Sequence, residues 1–271
     1  MIQLSFKNLV KTPLLDICVL INEAFQEYFV PIQFNVALLS RKIESENIDL
    51  AHSVGVFEAE KLVGLILVGL HENRIYNACT GILKSHRGLG LVRQMYTYLF
   101  SHLPPYQHEL EVMYANTRAI RAYESLGFKK TDLLHCFTLT GLVKKDFAVI
   151  APLPKTLLEP CAAFFDVPPS WQNSIFSAQI DSSVQSFAIY KAQKPVAFVS
   201  LVKESGKLKH LAVKPDSRRQ GLGSLLLSYA QSCCVTSTLS IGNISDSNYT
   251  ALAFLHKLGA KITFQQWQMH K

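Results

Sequence analysis

Two segments bearing arginine and glycine carry the first chemistry in this chain. The stretch Ile82-Leu83-Lys84-Ser85-His86-Arg87-Gly88-Leu89-Gly90-Leu91-Val92 returns as Val213-Lys214-Pro215-Asp216-Ser217-Arg218-Arg219-Gln220-Gly221-Leu222-Gly223, with the arginines at 87 and 218, 131 residues apart. Each copy runs from an apolar, strand-like stretch through a glycine turn into a helix-like one. Such a turn binds anions, because the first N–H groups of a helix have no partner inside it and the helix dipole puts partial positive charge there. Glycine admits a phosphate to the backbone with no Cβ in the way, and an arginine adds charge-assisted hydrogen bonds. The spacing R-x-x-G-x-[G/A] is neither the dinucleotide fingerprint nor the P-loop. Arg218, Gly221 and Gly223 satisfy it fully, whereas Arg87 and Gly90 are followed by Val92 where a small residue belongs. The expected anion contacts are Arg87, Gly88 and Gly90 with the N–H groups of Leu89, Leu91 and Val92 in the first copy. In the second they are Arg218, Arg219, Gly221, Leu222 and Gly223.

A second pair of segments follows in the same order. Asn116-Thr-Arg-Ala119-Ile-Arg-Ala-Tyr123-Glu-Ser-Leu126-Gly127-Phe128 matches Asn248-Tyr-Thr-Ala251-Leu-Ala-Phe-Leu255-His-Lys-Leu258-Gly259-Ala260, with the asparagines 132 residues apart. Two motifs in one order at nearly one spacing indicate a duplicated domain, and the period is far too long for a solenoid.

At these residues the chain resembles the GNAT superfamily of acyl-CoA-dependent N-acetyltransferases. The resemblance implies that the arginine-glycine turn holds the pyrophosphate of coenzyme A, and that the block from Asn116 forms the next helix, whose Tyr123 protonates the leaving thiolate. It also implies that backbone N–H groups near Ile82, Leu83 and Val213 face the thioester oxygen, with acetyl-CoA as acyl donor and no metal. A tyrosine with pKa near 10 can protonate a departing thiolate. Asn116 and Asn248 are expected at the cofactor, and the same residues suit helix N-caps. For the base, Glu111 is favoured; Cys79, Tyr76, Asn77, a relayed water and, in the second copy, His210 are alternatives. Tyr28 and Phe29 line either an acceptor pocket or the core. Because Leu255 stands where the second copy needs the tyrosine, chemistry is expected in the first half. The second half is then structural, or binds cofactor without turnover. The acceptor is a small-molecule or protein amine, and the rival reading is a non-catalytic acyl-CoA-binding or sensing protein.

Elements able to position these residues follow from periodicity. Strands are expected at Leu4 to Lys7, Ser53 to Phe57, Leu62 to Leu70, Arg74 to Leu83, His108 to Met113 and Lys129 to Leu139, the last closing the first half. Helices are expected at Leu14 to Phe29, Val36 to Ile43, Leu91 to His102 and Thr117 to Leu126. The second half repeats the pattern after a helix opened by Ser170 as N-cap, with the Pro-rich stretch Ala151 to Pro160 as the connection. Strands alternating with helices, together with hairpin-like pairs, predict an α/β fold with a mixed sheet, and the resemblance makes that sheet splayed. The expected domains are residues 1–145 and 146–271.

With 271 residues, 49% hydrophobic and 17% charged, each half can bury a core of its own. The formal net charge of +7 suits an anionic cofactor. No Lys/Arg run exceeds two residues and no aromatics interleave with them, which argues against nucleic acid. No apolar run reaches membrane-span length and no signal-peptide pattern opens the chain, so a cytoplasmic protein is expected. The six cysteines lack C-x-x-C spacing and read as buried thiols in a reducing compartment. Oligomeric state is left open by the sequence.

Overall fold

A computed structural model describes residues 3–142 and 150–271. The chain forms two compact units, Met1–Thr131 with Trp267–Lys271, and Asp132–Gln266. The domain boundary expected at 145/146 lies outside the described residues.

The first unit contains β1 (Leu4–Asn8), α1 (Leu14–Ala24), α2 (Val36–Ser45), β2 (Val54–Glu58), β3 (Lys61–His71), β4 (Arg74–Ile82), α3 (Leu91–His102), β5 (Gln107–Met113) and α4 (Thr117–Glu124). In α1 the residues Ile17, Leu20, Ile21 and Ala24 recur at helical spacing and are all buried. The helix stops at Ala24, short of the expected Phe29. Had it continued, the Ala24 carbonyl would accept from residue 28; instead it accepts from the Arg87 guanidinium, and the Tyr28 N–H turns back to the Phe25 carbonyl. β3 reads as an almost continuous apolar run because both of its faces are covered, with Leu65, Ile66 and Leu67 fully buried. The strands lie in the order β1-β2-β3-β4-β5.

After α4 comes β6 (Lys129–Leu139). The second unit then adds β7 (Ile150–Pro152), α5 (Leu158–Cys161), α6 (Ile175–Ile180), β8 (Val184–Lys191), β9 (Lys194–Val202), β10 (Lys207–Val213), α7 (Leu222–Cys233), β11 (Leu239–Ser245), α8 (Tyr249–Lys257) and β12 (Lys261–His270). Its strand order is β6-β11-β10-β9-β8-β7. The stretch expected as a connection therefore begins as a strand, with Ile150–Pro152 paired antiparallel to β8. Ser170 caps no helix: a short 3₁₀ turn, Trp171–Asn173, follows it, and the N-cap is Ser174, whose side chain accepts from the Ser177 N–H.

The closing strands are exchanged between the repeats. β6 follows the first repeat in sequence, but its residues from Asp132 onward belong to the second unit, paired antiparallel to β11. β12 follows the second repeat, yet Trp267–Lys271 belong to the first unit, where Lys271 and His108 of β5 exchange two backbone hydrogen bonds at 2.9 Å. Met269 is fully buried in the first unit's core. The expectation that Lys129 to Leu139 closes the first half is thus corrected. Both strands are apolar-polar mixtures of similar length, and nothing in either pattern names the sheet edge it joins.

Candidate active site

In the first unit β4 and β5 run parallel, but they pair only over Arg74–Asn77 opposite Gln107–Leu110. β4 continues to Ile82 and β5 to Met113, so the strands part where pairing stops. A β-bulge marks the place: Leu67 of β3 opposes Cys79 and Val68 opposes Asn77, leaving Ala78 as the extra residue. Beyond it, among the described residues, one edge of β4 has no strand beside it, and its backbone groups can pair with an extended ligand. Ligands of open α/β sheets enter at the carboxyl ends of parallel strands, and this fork lies there.

β4 leads through Arg87–Gly90 into α3. Gly88 and Gly90 have φ of +84° and +70°, and a Cβ on either would meet nothing within 4 Å. The turn is open to solvent, and no side chain caps the N-terminus of α3. This combination of left-handed glycines, an empty approach and uncapped N–H groups suits a pyrophosphate. Arg87 is placed differently from expectation. Its Nε donates to the Ile82 carbonyl (3.2 Å) and its guanidinium to the Ala24 carbonyl (2.7 Å). The side chain ties the turn to the end of β4 and to the last turn of α1.

Tyr123 lies on α4, 7% exposed, with its hydroxyl hydrogen-bonded by Thr80 and Asn77 of β4. Burial pushes its pKa up to about 12, against the lowering effect of those bonds. Asn77 Nδ2 also donates to Thr80 Oγ1 and to the hydroxyl of Tyr96 on α3, each at 2.8 Å. Asn116 caps α4, its side chain accepting from the Ala119 N–H at 3.1 Å, and it hydrogen-bonds the Tyr28 hydroxyl. Tyr28 thus stands beside the start of α4, while Phe29 is about half exposed, 53%.

Glu111 is the first residue of β5 beyond the paired segment, half-buried, and the Tyr76 hydroxyl donates to its carboxylate. Burial and the neighbouring Glu111 raise Tyr76 well above the usual tyrosine range, so it stays a donor. Cys79 is pushed up to about 11 by burial and is a thiol at neutral pH, not a base. Among the residues expected as bases, Glu111 is the carboxylate, and it receives the Tyr76 hydroxyl.

Two family models match the sequence: "Acetyltransferase (GNAT) family" over residues 17–128 and "Acetyltransferase (GNAT) domain" over residues 161–266. The chain belongs to the GNAT acetyltransferases. It is an enzyme of that class with two GNAT domains in tandem, each matched by a model of its own. Among solved structures, a GCN5-related N-acetyltransferase from Sphaerobacter thermophilus superposes with a TM-score of 0.74 at 14% identity, covering 99% of this chain and 95% of that one. An acetyltransferase from Pyrococcus horikoshii, titled putative, gives 0.72 at 12% identity, covering 99% and 89%. A tandem GNAT protein from the clavulanic acid biosynthesis pathway gives 0.69 at 12% identity, covering 99% and 98%. At such identities these structures are evidence for the fold alone. No curated protein sequence matches the chain.

The second GNAT repeat has the same frame. β10 pairs with β11 in parallel only at Lys207 and Leu208, and a bulge makes Lys209 the extra residue where the first repeat has Ala78. Arg218 repeats the clamp, with Nε to the Val213 carbonyl (3.1 Å), the guanidinium to the Phe164 carbonyl (3.1 Å), and an ion pair with Asp166 at 3.0 Å. Arg219 is exposed at φ +63° and Gly221 at φ +80°. Asn248 caps α8 as Asn116 caps α4.

The fork itself is filled from within. His210 Nε2 bonds the Asn173 carbonyl (2.9 Å), Asn173 Nδ2 donates to the Gly242 carbonyl (2.8 Å), and Lys209 Nζ donates to the Gln172 carbonyl (2.6 Å). Asn243 Nδ2 donates to Ser170 Oγ at 3.0 Å. The segment 170–173 thereby spans β10 and β11 where they part. His210 is 2% exposed, its pKa pushed down to about 4 by burial, and both ring nitrogens are engaged, so it is not a base.

The turn motif's departure at Val92 also has a packing explanation. A Cβ on Gly223 would lie 3.2 Å from the Phe254 ring on α8. In the first repeat the position of Phe254 is held by Ala122, and that of Gly223 by Val92. The small and large residues trade places.

Proposed function

We propose that the first repeat transfers the acetyl group of acetyl-CoA to a primary amine of a small-molecule or protein acceptor, with Tyr123 as general acid and Glu111 as general base. The observation that carries this reading is the Tyr123 hydroxyl hydrogen-bonded by Asn77 and Thr80 where β4 leaves β5. Backbone N–H groups of residues 88–92 would hold the pyrophosphate, and the free edge of β4 beyond Asn77 the amide-bearing arm and the thioester oxygen. Acetyl-CoA supplies the activated acyl group.

Glu111 takes the proton from the attacking nitrogen as the C–N bond forms. Tyr123 gives its proton to sulfur as the C–S bond breaks. Solvent returns the proton from Glu111 to Tyr123, leaving an amide and a free thiol. A tyrosine near 12 looks too weak an acid for a thiolate whose ordinary conjugate pKa is about 8.5. Burial lifts thiols here as well: Cys79, whose proximity raises Tyr123, sits at about 11. A departing sulfur desolvated in the same way is a stronger base than a free thiolate, which narrows the mismatch.

The second repeat, with Leu255 for the acid and segment 170–173 in its fork, we assign to structure. The test is thiol release from acetyl-CoA over a panel of amines. Tyr123→Phe should keep CoA affinity and lower kcat by about 10²–10⁴. An unchanged kcat would return Tyr123 to a packing role.

A further inference from the structure

Three polar side chains meet around Tyr123 on α4: Asn77 and Thr80 on β4 and Tyr96 on α3. Asn77 donates to Thr80 and to Tyr96, Thr80 Oγ1 lies 3.1 Å from Asn77 Oδ1, and both Asn77 and Thr80 bond the Tyr123 hydroxyl. The rings of Tyr96 and Tyr123 stand edge to face at 6.2 Å. Tyr96 is 1% exposed. Burying so many polar groups stabilises nothing by itself, since each must regain the hydrogen bonds it had with water.

The duplicated chain contains its own control. At the 131-residue offset of the first motif, Asn77 corresponds to Leu208, Thr80 to Leu211 and Tyr96 to Leu227; at the 132-residue offset of the second, Tyr123 corresponds to Leu255. Leu208, Leu227 and Leu255 are at most 3% exposed in the second unit's core, and Leu211 packs against that core. The same four places in the same strand, bulge and helices thus close with four leucines. Packing does not require polar atoms there, so the oxygen- and nitrogen-bearing set in the first repeat has another reason. All four differ between the repeats as a set, as members of one device would.

We infer that Asn77, Thr80 and Tyr96 are positioning residues for the acid step, holding the Tyr123 hydroxyl so that its proton faces the departing sulfur. The inference rests on the reading of Tyr123 as acid. A phenol can rotate its O–H among several acceptors. When Thr80 donates its one proton into the Tyr123 oxygen, a lone pair there is occupied and Tyr123's own proton is directed elsewhere, toward the fork, while the two Asn77 Nδ2 protons hold the Thr80 and Tyr96 oxygens in place. Tyr96 accepts from Asn77 and so fixes the amide that reaches Tyr123. Asn77 is also the last β4 residue paired with β5, which places the network at the point where the strands part.

A double-mutant cycle tests this. Asn77→Leu, Thr80→Val and Tyr96→Phe, singly, should lower kcat by roughly 10–10², the loss that a small misplacement of a reacting group brings. The KM for acetyl-CoA should be little changed. In a Tyr123→Phe background the same changes should cause no further loss, because residues that act through Tyr123 have nothing left to position. Thr80→Ser, which keeps the hydroxyl, should retain activity. Thermal melts accompany each variant, and Tyr96→Phe, which removes one oxygen, keeps the test open if a leucine substitution fails to fold. Folded variants with unchanged kcat, or losses that multiply with that of Tyr123→Phe, overturn the inference while leaving the acid in place. If Tyr123→Phe alone is harmless, the acid reading falls first and the positioning role with it.

Discussion

Arg87→Lys keeps the charge of the turn and removes its geometry. In the structure the guanidinium donates to the Ile82 carbonyl at 3.2 Å and the Ala24 carbonyl at 2.7 Å. A single ammonium on a flexible stem does not reproduce that planar fork. Hydrogen bonds to charged groups are worth about 1.5–3 kcal/mol each. Arg87 is largely exposed, so the loss of one of the two bonds is set at about 1.4 kcal/mol, discounted for solvent screening. That shifts the ordered-turn equilibrium about tenfold, and apparent affinity falls with the population of the competent turn. Steady-state kinetics following free thiol should show KM for acetyl-CoA raised by up to about tenfold, the limit reached when the ordered turn becomes the minor state, with kcat at saturation nearly unchanged. Calorimetric titration with CoA should give the same factor. Arg218→Lys is the matched control: it breaks the equivalent clamp in the second repeat, and should lower the melting temperature while sparing KM. A wild-type KM for Arg87→Lys would refute the clamp and make Arg87 a plain charge contact to phosphate.

Acidification should destabilise both units. His108 and His210 are pushed down to about 4, chiefly by burial, so the unfolded chain takes up protons that the folded chain refuses. Their stabilising contribution is complete above the ordinary histidine pKa of about 6.5 and is lost as pH falls toward 4; for the fully buried His210 it amounts to about 3 kcal/mol. Melting temperatures should drop across that window, less steeply in His210→Gln, and a flat profile would rule the idea out. Gly223→Val should overpack against Phe254 and cost about 1–3 kcal/mol, with Phe254→Ala added to it restoring stability; simple addition of two losses in denaturant melts would contradict the exchange of sizes. Met269→Ala should cost about 2–5 kcal/mol through the cavity it leaves in the first unit, and a change within error would show that the closing strand adds little there.

The repeat, the glycine turns and the asparagine caps were legible because each depends on backbone needs that one residue type meets at fixed spacing. Asn116 and Asn248 cap α4 and α8 at equal distances of 3.1 Å. The arginines were legible as part of the turn, but a sequence does not say which carbonyls a guanidinium reaches. Thr80 and Tyr96 belong to no motif and Asn77 reads only as an alternative base, although a signal for all three exists in the repeat. Setting the two halves side by side at their offsets and asking where polar residues face leucines finds all three, as it found Tyr123 against Leu255. The segment 170–173 had no such signal. Its contacts to His210, Lys209 and Gly242 are made by backbone carbonyls and one asparagine, and none of these has a distinctive spacing.

The exchange of β6 and β12 bears on how such a chain can change over generations. A repeat that had only lost its chemistry would drift toward deletion, since nothing selects for its cleft. Here the second copy ends in the residues that complete the sheet of the first: Met269 fills its core, and Lys271 bonds His108 and reaches the Leu126 carbonyl. Losing the copy would strip the surviving one of its last strand and leave β6 with no sheet to join. Each duplicate is thus hostage to the other. That tie holds both repeats in the gene while leaving the interior of the second free to carry leucines where the first has asparagine, threonine and tyrosine.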